Sequence, residues 1–379
     1  MRILHLMTCR GWSSDAYWAA LVARELHARG HAVTFVARAD TEVKVLRRLR
    51  ELGVVGVTTL GFRGRRAPFA TAWDLRALHR LLREHDIVHV HRSREHWMAA
   101  LVGAVTTARP PLVRTRHIVG PIAAHRLNRW LYGPSVTAHV ITVSDAIRAR
   151  YLGTRLVEPT RVTALPGGVD AARFHPDVAG GAFRRRHGLA PMSAVVGVLA
   201  SLRGMKGHAT FLEAARRLEA RHPAVRFVIA GEGRHGVRVR RAVADLGLGT
   251  SVVMTGFVDC PEEAVAAFDV AVYASDSSEG MGRVLFEYMA AGRPIAATAV
   301  GLAPEVLVDG DTARLVPPRD PERLARAIAM LLEERAFAER AARACRRLVE
   351  ERYSAQCLAA EVERVYATPL GAGAAWGRS

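Results

Sequence analysis

Two glutamates enclose a glycine-containing turn at the predicted start of a helix. Glu279 precedes Gly280-Met281-Gly282, and Glu287 stands eight residues after Glu279, inside the apolar run 284–291. An unpaired carboxylate is costly to bury, so this run predicts hydrogen-bond donors for Glu287. The two glycines allow a ligand to approach the backbone closely, and free N–H groups at a helix N-terminus bind phosphate. The spacing therefore indicates a ligand that carries both phosphate and hydroxyl groups.

The two carboxylates have different partners in this interpretation. Glu287 accepts hydrogen bonds from two vicinal hydroxyls, such as those of a ribose, and Glu279 accepts them from hydroxyls of a sugar beyond the phosphates. The spacing alone leaves an alternative open. Glu287 then pairs with an arginine inside the fold, and Glu279 merely precedes a helix.

A second group of charged residues follows the strand predicted at 194–199. Arg203 and Lys206 stand in a glycine-containing loop just before a helix. Cations are mildly unfavourable near a helix N-terminus, so an anionic ligand explains them better than exposure does. Charge-assisted hydrogen bonds from both side chains would neutralise a diphosphate. Lys206 and Lys44 are the only lysines in a chain that otherwise uses arginine, which suggests that a compact ammonium is required at position 206.

The formal net charge is +18, which makes nucleic acids and anionic membranes candidate partners. Arginines are scattered through most predicted helices, which favours a solvated surface. Aromatic residues make up 6% of the chain, too few for a surface that stacks bases, so no nucleic acid is expected. The basic loop 62–69, with a phenylalanine at each end, suits docking to anionic lipid headgroups.

Length and composition predict a two-domain globular protein. The chain has 379 residues, of which 50% are hydrophobic and 24% charged. Its cysteines are far apart and form no Cys-x-x-Cys motif, so neither a zinc site nor a disulfide framework is indicated. The first apolar segment, 1–7, is too short for a signal peptide, and no apolar run is long enough to span a bilayer. We therefore expect a cytoplasmic protein.

Short apolar runs alternate with helical periodicity in both halves of the chain, which predicts two parallel sheets covered by helices. The predicted strands are 3–7, 32–37, 56–60, 87–91, 112–116 and 140–143, followed by 194–199, 227–230, 252–255, 270–274, 295–298 and 315–316. We expect an α/β fold of two Rossmann-like domains, residues 1–170 and 171–353. Residues 354–379 are predicted to form a helix that crosses back to the first domain and then a frayed tail. The cleft between two such domains is the default ligand site.

The sequence resembles the retaining nucleotide-sugar glycosyltransferases of glycosyltransferase family 4, which have the GT-B fold. The resemblance covers nearly the whole chain and is strongest in the paired-glutamate motif, Glu279 to Glu287. Further motifs carry it: 290–294 (Ala-Ala-Gly-Arg-Pro), Arg203 with Lys206-Gly207, 166–170 (Pro-Gly-Gly-Val-Asp), 86–91 (Asp-Ile-Val-His-Val-His) and 114–117 (Arg-Thr-Arg-His).

The resemblance implies a role for each matching residue. Glu287 holds the ribose, and Arg203 with Lys206 holds the diphosphate. Glu279, with the backbone of Gly280, Met281 and Gly282, holds the transferred sugar. His117 lies near that sugar and the acceptor. The implied catalytic residues are Glu279, His117, Arg203 and Lys206, and the implied acceptor-side residues are Gly11, Ser13, His91 and His117. Base contacts are expected from the backbone around Val258.

Two positions depart from the family pattern. An arginine is common five residues before the lysine, but Ser201 stands there, so Arg203 is expected to replace it in the diphosphate site. A Gly-Gly-Ala-Glu segment is usual near the start of the first domain, and residues 10–15 (Arg-Gly-Trp-Ser-Ser-Asp) occupy its place. This loop shapes the acceptor side, which leaves the acceptor open.

The implied function is retaining transfer of a sugar from a nucleotide diphosphate, most readily UDP or GDP, to an acceptor. The acceptor is a polysaccharide, a lipopolysaccharide or a lipid-linked glycan of the cell envelope, reached by a cytoplasmic enzyme that is peripheral on the membrane. No metal or other cofactor is expected, because the two cations and the helix dipole stabilise the leaving diphosphate. The alternative is a nucleotide-sugar or nucleic-acid binding protein of the same fold without transfer activity.

Overall fold

The computed structural model describes residues 1–9, 11–61, 68–107, 109–277 and 280–368. Contacts divide the chain into two compact units. The first contains Met1–Gly168 together with the helix that begins at Ala355, and the second contains Val169–Ser354. The first unit's main segment ends two residues before the predicted boundary at 170, and the second unit ends one residue after the predicted boundary at 353.

Within the described ranges the first unit contains a seven-stranded sheet and the second a six-stranded sheet. All of their strand pairs are parallel. The strands are β1 (Arg2–Met7), β2 (Ala32–Arg38), β3 (Val57–Leu60), β4 (Ile87–Val90), β5 (Leu112–Arg116), β6 (His139–Thr142), β7 (Val162–Ala164), β8 (Val195–Leu199), β9 (Arg226–Ala230), β10 (Val252–Gly256), β11 (Val270–Tyr273), β12 (Ile295–Thr298) and β13 (Arg314–Val316).

Helices connect these strands. They are α1 (Ser14–Ala28), α2 (Val43–Glu51), α3 (Pro68–Glu84), α4 (Ser93–Ala104), α5 (Arg126–Leu131), α6 (Asp145–Thr154), α7 (Gly181–Arg186), α8 (His208–Glu219), α9 (Gly236–Asp245), α10 (Pro261–Ala266), α11 (Arg283–Ala290), α12 (Ala303–Val306), α13 (Pro321–Glu333), α14 (Arg335–Leu348) and α15 (Ala355–Ala367). Short 3₁₀ turns, Pro159–Arg161 and Gly204–Lys206, precede β7 and α8, and a π-helical turn, Val349–Tyr353, follows α14.

The two parallel α/β sheets confirm the predicted fold class. The middle strands are buried along their whole length, which is why they read as continuous apolar runs. β7 was missed in the sequence, because it has three residues and leads directly into Pro166-Gly167. The last helix, α15, packs against α1 of the first unit. Residues 62–67 of the predicted membrane loop 62–69 and residues 369–379, in the predicted frayed tail, lie outside the described residues, whereas Pro68 begins α3.

The strand order reverses once in each sheet. The order is β3-β2-β1-β4-β5-β6-β7 in the first unit and β10-β9-β8-β11-β12-β13 in the second. The loops that leave the carboxyl ends of β1 and β4, and likewise of β8 and β11, therefore run in opposite directions. A crevice opens at such a switch point, and ligands of open parallel sheets bind there.

Many arginines donate hydrogen bonds to backbone carbonyls at the ends of helices and strands. Arg184 donates to the carbonyl oxygen of Ala267 at 2.8 Å. Arg346 donates to the carbonyl oxygens of Phe174 at 3.0 Å and Ala290 at 2.7 Å. Arg116, Arg161 and Arg293 make contacts of the same kind. Part of the arginine content thus satisfies the carbonyls that helix C-termini leave without partners.

None of the helices in the described part of the chain is long and apolar enough to cross a membrane.

A substitution at Gly197 can measure how tightly the second sheet packs against the chain segment before β11. A Cβ atom on Gly197 would lie 2.3 Å from the Phe268 ring, whereas a Cβ atom on Gly249 would meet nothing within 4 Å. We expect Gly197→Ala to lower the free energy of unfolding by about 1–3 kcal/mol, because overpacking forces neighbours to shift. Gly249→Ala should stay within about 0.5 kcal/mol of the wild type. Urea unfolding of both variants measures the difference, and equal effects would contradict this packing.

Candidate functional site

Two loops of the second unit meet at the switch point between β8 and β11. The Asp276 N–H donates to the carbonyl oxygen of Met205 at 2.9 Å. The Thr210 hydroxyl donates to Asp276 Oδ1 at 3.2 Å. These bonds fix the turn that carries Arg203 and Lys206 beside the loop that leads into α11. The two predicted phosphate-binding segments are therefore neighbours.

Gly207 makes this approach possible. Its φ of +62° lies in the left-handed region, and a Cβ atom there would lie 1.7 Å from the carbonyl oxygen of Ala274. A side chain at this position would push the turn away from the end of β11. The small residue after Lys206 is thus required by the contact between the loops.

The cations of the turn differ in exposure. Arg203 is exposed and begins the 3₁₀ turn Gly204–Lys206, whereas Lys206 is half-buried at its end. His208 follows at the start of α8, and burial, together with the nearby charge of Lys206, lowers its pKa to about 4. A neutral imidazole beside Lys206 leaves the ammonium as the local charge.

The glycine turn before α11 is described from Gly280 onward, and Glu279 lies outside the described residues. Gly282 caps α11 with a φ of +52°, and Met281 is buried. In helix geometry the first N–H groups have no partner within the helix, so this end of α11 offers donors to an anion.

Glu287 is buried in α11 with 1% of its surface exposed. Arg283 Nε lies 3.3 Å from Glu287 Oε1, an ion pair between residues four apart on the helix. Neither carboxylate oxygen accepts a well-formed hydrogen bond from the part of the chain that the structure describes. The predicted arginine pairing is thus present as a charge contact, yet the acceptor capacity of the carboxylate is unused.

The charges around Glu287 come from two more side chains. Arg173 forms an ion pair with Glu262 at 2.8 Å. Burial raises the pKa of Glu287, the charges of Arg283 and Arg173 oppose this rise, and the charge of Glu262 adds to it. The net pKa of Glu287 is raised, so the ionised carboxylate is under-solvated in the ligand-free protein.

A cavity of about 890 Å³ adjoins the loops at the carboxyl ends of β8, β9 and β10. Of the predicted residues, Ser201 and Arg203 line it, and Glu287, Lys206 and Gly282 do not. Val258 is half-buried and packs against the core of the unit. Further lining residues are Gly231, Glu232, Gly233, Arg234, Arg240, Met254 and Gly256.

Gly231 and Gly233 of this cavity were not predicted from the sequence. A Cβ atom would lie 2.1 Å from the Ala200 carbonyl oxygen at Gly231 and 2.6 Å from the Leu202 carbonyl oxygen at Gly233. The signal was available, because Gly231-Glu232-Gly233 follows strand β9 directly and precedes a helix, the same arrangement as at Gly280 and Gly282.

The predicted acceptor-side residues lie in the first unit, after β1, β4 and β5. Ser13 directly precedes α1, and its hydroxyl donates to Asp15. Arg92, which follows β4, donates to Asp15 Oδ2 at 2.9 Å and to the Ser13 hydroxyl at 3.3 Å. A Cβ atom on Gly11 would lie 3.4 Å from Glu42 Oε1. Burial alone would raise the pKa of Asp15, but the charges of His117 and Arg92 and the Ser13 hydrogen bond lower it.

His91 and His117 belong to a buried chain of side chains. His117 Nε2 lies 3.3 Å from His91 Nδ1, and His91 Nε2 lies 3.1 Å from His5 Nδ1. His5 Nε2 lies 3.4 Å from the Tyr366 hydroxyl, which lies 2.6 Å from His89 Nδ1. His89 Nε2 ends the chain 2.5 Å from Thr115 Oγ1. Trp18 packs edge-on against His89, His91 and His117 and holds the rings in place.

The architecture and these sites define the class of protein. Its fold matches solved GT-B glycosyltransferases. HepE from Anabaena, solved in complex with UDP and glucose, superposes with a TM-score of 0.82 over 97% of this chain and 100% of that one, at 20% identity. A glycosyltransferase from Rickettsia africae superposes with a TM-score of 0.83 over 96% of this chain and 97% of that one, at 18% identity.

The chain belongs to the group 1 glycosyltransferases of glycosyltransferase family 4. The family model "Glycosyl transferases group 1" matches residues 181–348, and the model "Glycosyltransferase Family 4" matches residues 17–173. The GDP-mannose-dependent alpha-(1-6)-phosphatidylinositol monomannoside mannosyltransferase of Mycobacterium tuberculosis is 32% identical over 274 residues, which cover 68% of this chain and 70% of that protein.

Another relative extends well beyond the segment that matches this chain. The D-inositol 3-phosphate glycosyltransferase of Acidothermus cellulolyticus is 30% identical over 284 residues, 67% of this chain. The match spans 61% of the length of that protein.

Glu287 generates a prediction about stability and pH. Its folded-state pKa is raised above the ordinary value of 4.5, so the folded state holds the proton more tightly than the unfolded state. The stability that this proton binding contributes is present below the ordinary pKa and is lost as the pH rises through the raised pKa. We expect ligand-free Glu287→Gln to be more stable than the wild type at neutral pH by about 1–2 kcal/mol, with no difference in acid. Thermal unfolding of both proteins, followed from below pH 4.5 to neutral pH, measures this difference in stability.

Glu322→Gln is the control for that measurement. The Glu322 side chain is 62% exposed and pairs with Arg326 on α13. Its substitution should change stability little at any pH. A Glu287→Gln variant less stable than the wild type at neutral pH would show that the carboxylate is well solvated inside the fold.

Gly207 generates a prediction about the contact between the two loops. Gly247 has a similar φ, +72°, but a Cβ atom there would meet nothing within 4 Å. Gly207→Ala and Gly247→Ala therefore share the backbone strain and differ in the clash. We expect Gly207→Ala to cost about 1–3 kcal/mol more in unfolding free energy. Equal losses in chemical denaturation would mean that the turn relaxes without cost.

Proposed function

We propose that the protein is a retaining glycosyltransferase that moves a sugar from a nucleotide diphosphate donor to a glycan or glycolipid acceptor. The observation that carries the proposal is the buried Glu287 carboxylate, whose oxygens lack well-formed hydrogen bonds within the described structure. The two hydroxyls of a ribose would supply the missing donors. Binding of the donor would thereby offset the cost of burying this charge.

In this proposal the diphosphate lies between the Arg203–Lys206 turn and the N-terminus of α11. Both cations and the helix N–H groups face negative charge there, and they stabilise the charge that develops on the leaving diphosphate. Such an arrangement requires no metal ion for leaving-group stabilisation. The cavity bounded by Gly231, Gly233 and Met254 has room for the nucleoside. Glu279 is proposed to contact the transferred sugar.

The donor is proposed to be a UDP- or GDP-sugar. HepE was solved in complex with UDP and with UDP-glucose, and the mannosyltransferase relatives are named as GDP-mannose-dependent. The acceptor is proposed to be a glycan or a lipid-linked, phosphorylated polyol, because named relatives act on inositol phosphate and phosphatidylinositol mannoside. Gly11, Ser13, His91 and His117 serve the acceptor side. Contact with an anionic membrane remains a prediction, since residues 62–67 of the loop 62–69 lie outside the described residues.

A thermal-shift panel with UDP, GDP, ADP and CMP tests the donor site. A ligand at about 100 times its dissociation constant stabilises the protein by about 2.7 kcal/mol. We expect one diphosphate to shift the wild type and Glu322→Gln equally and Glu287→Gln much less. Addition of EDTA should leave the shift unchanged.

The variant Glu287→Gln makes this test specific. It should be more stable than the wild type without ligand and less stabilised with ligand, a combination that general damage to the fold does not produce. Transfer is then measured with the diphosphate sugar of the base so identified, and NMR of the product reports the anomeric configuration. Absence of any nucleotide shift would overturn the proposed function, and inversion at the anomeric carbon would overturn the retaining mechanism.

A further inference from the structure

The buried chain in the first unit has a direction. We define the histidine chain as Thr115, His89, Tyr366, His5, His91 and His117, in the order of their contacts. Every link joins two groups that can each donate or accept, and each link needs one proton. A neutral imidazole donates from one ring nitrogen and accepts at the other. All links are satisfied with every donor pointing toward His117 or with every donor pointing toward Thr115. The Tyr366 oxygen could also accept from both His89 and His5, but the buried Tyr366 hydroxyl proton would then have no acceptor among the described residues, so the two directions remain to be compared.

All four imidazoles are neutral near pH 7. Burial lowers the pKa of His5 and of His117 to about 3, and it lowers the pKa of His89 and of His91 well below the ordinary value of 6.5. The charge of the buried Arg114 acts in the same direction on His89, His91 and His117. Each ring thus carries a single proton, and the chain has one of the two directions at any moment.

The Thr115 end of the chain favours one direction. Thr115 is fully buried. Its hydroxyl lies within hydrogen-bond distance of His89 Nε2 and of no other donor or acceptor in the described ranges. If Thr115 donates to His89 Nε2, its proton is used. If His89 donates instead, the hydroxyl proton of Thr115 is left without an acceptor, which is unfavourable for a buried donor.

The other end of the chain favours the same direction. His117 is 8% exposed, and its Nδ1 atom is buried without a partner among the described residues. Asp15 is close enough that its charge raises the pKa of His117 and that His117 lowers the pKa of Asp15. The negative charge of Asp15 near this end of the chain favours donors that point toward the His117 end. Both ends therefore place the donor at Nδ1 of His117.

We propose that the histidine chain fixes the tautomer of His117 with its proton on Nδ1, so that His117 donates a hydrogen bond to the bound substrate. Thr115, His89, Tyr366, His5 and His91 are positioning residues that act through His117. The ligand at Nδ1 is an oxygen acceptor, a sugar hydroxyl or a phosphate oxygen. The identity of this ligand rests on the proposed function, whereas the direction of the chain does not.

Because His5, His89 and His91 lie close together, they are also candidate ligands for a metal ion. Candidate ligand atoms of these three rings lie within 4.8 Å of one another. Both nitrogens of His5, His89 and His91 already have partners, however, and a metal ligand cannot use the same lone pair to accept a hydrogen bond. Metal binding would break links at both Tyr366 and His91. The hydrogen-bonded chain accounts for the partners of all four rings, so we favour it.

A second histidine–threonine pair supplies an internal control. His96 Nε2 lies 2.8 Å from Thr137 Oγ1, as His89 Nε2 lies near Thr115. The Thr137 hydroxyl, however, donates to the carbonyl oxygen of Leu131 at 2.5 Å. Its oxygen must therefore accept from His96, which requires the proton on Nε2. The same pair of residue types predicts opposite tautomers at the two sites.

Nitrogen NMR of the full-length protein with ¹⁵N-labelled histidine reads these tautomers directly, because protonated and unprotonated ring nitrogens resonate far apart. Single histidine-to-glutamine variants assign the signals. We expect the proton on Nδ1 in His5, His89, His91 and His117 and on Nε2 in His96. The opposite tautomer in the four chain residues, or a stoichiometric bound metal detected by elemental analysis, would overturn the proposal.

Variants then test what sets the direction. The double variant Thr115→Val with Asp15→Asn removes both biases, so the Nδ1 proton of His117 should lose its full occupancy. Thr115→Ser with wild-type Asp15 should keep it, and Thr137→Val should leave all four chain rings unchanged. Retention of the wild-type tautomers in the double variant would overturn the assigned cause.

Activity supplies a separate readout. With the donor found by thermal shift, the double variant should lose about tenfold in kcat while the dissociation constant for the nucleotide changes less than about twofold. A protein without transferase activity would overturn the proposed function, and the tautomer pattern would still decide the direction of the chain. Unchanged kcat in a double variant with altered tautomers would overturn the role of His117 as a donor to substrate.

Discussion

The reversal of strand order in each sheet is the constraint on which both sites depend. Loops leave the carboxyl ends of β1 and β4 in opposite directions, and so do the loops after β8 and β11, which opens a crevice at each position. Most candidate site residues of the sequence stand in these loops or on the strands beneath them. In the second unit the Asp276 contacts then fix one loop against the other. Local chain chemistry becomes a site because the topology brings separate segments to one edge.

The two units handle buried polar groups in opposite ways. In the first unit the imidazoles satisfy one another, and the chain ends at Nδ1 of His117, which has no partner among the described residues. In the second unit Glu287 is buried in an apolar helix, where its carboxylate has a charge contact with Arg283 but no well-formed hydrogen bond from the described part of the chain. The first arrangement pairs its polar groups with one another, and the second leaves a buried acceptor without donors.

Local pattern was sufficient for the fold and for only part of the sites. Buried parallel strands read as apolar runs, so nearly every strand could be located, except the short β7. The helix that buries Glu287 follows from the apolar run 284–291, and an arginine partner was among the alternatives. The histidine chain could not be predicted, because its links join residues as far apart as 361 positions, His5 and Tyr366. A histidine inside an apolar strand has no local signature that distinguishes a packed ring from a linked one.

The arginines that cap backbone carbonyls have a consequence for the chemistry of the whole surface. Because Arg184, Arg346 and their counterparts use guanidinium groups rather than amines, these supports of the scaffold are not substrates for acylation of amines. The side-chain amines are confined to Lys44 and Lys206. Reagents or modifications that act on amines would therefore reach the candidate diphosphate site and leave the interior supports of the fold untouched.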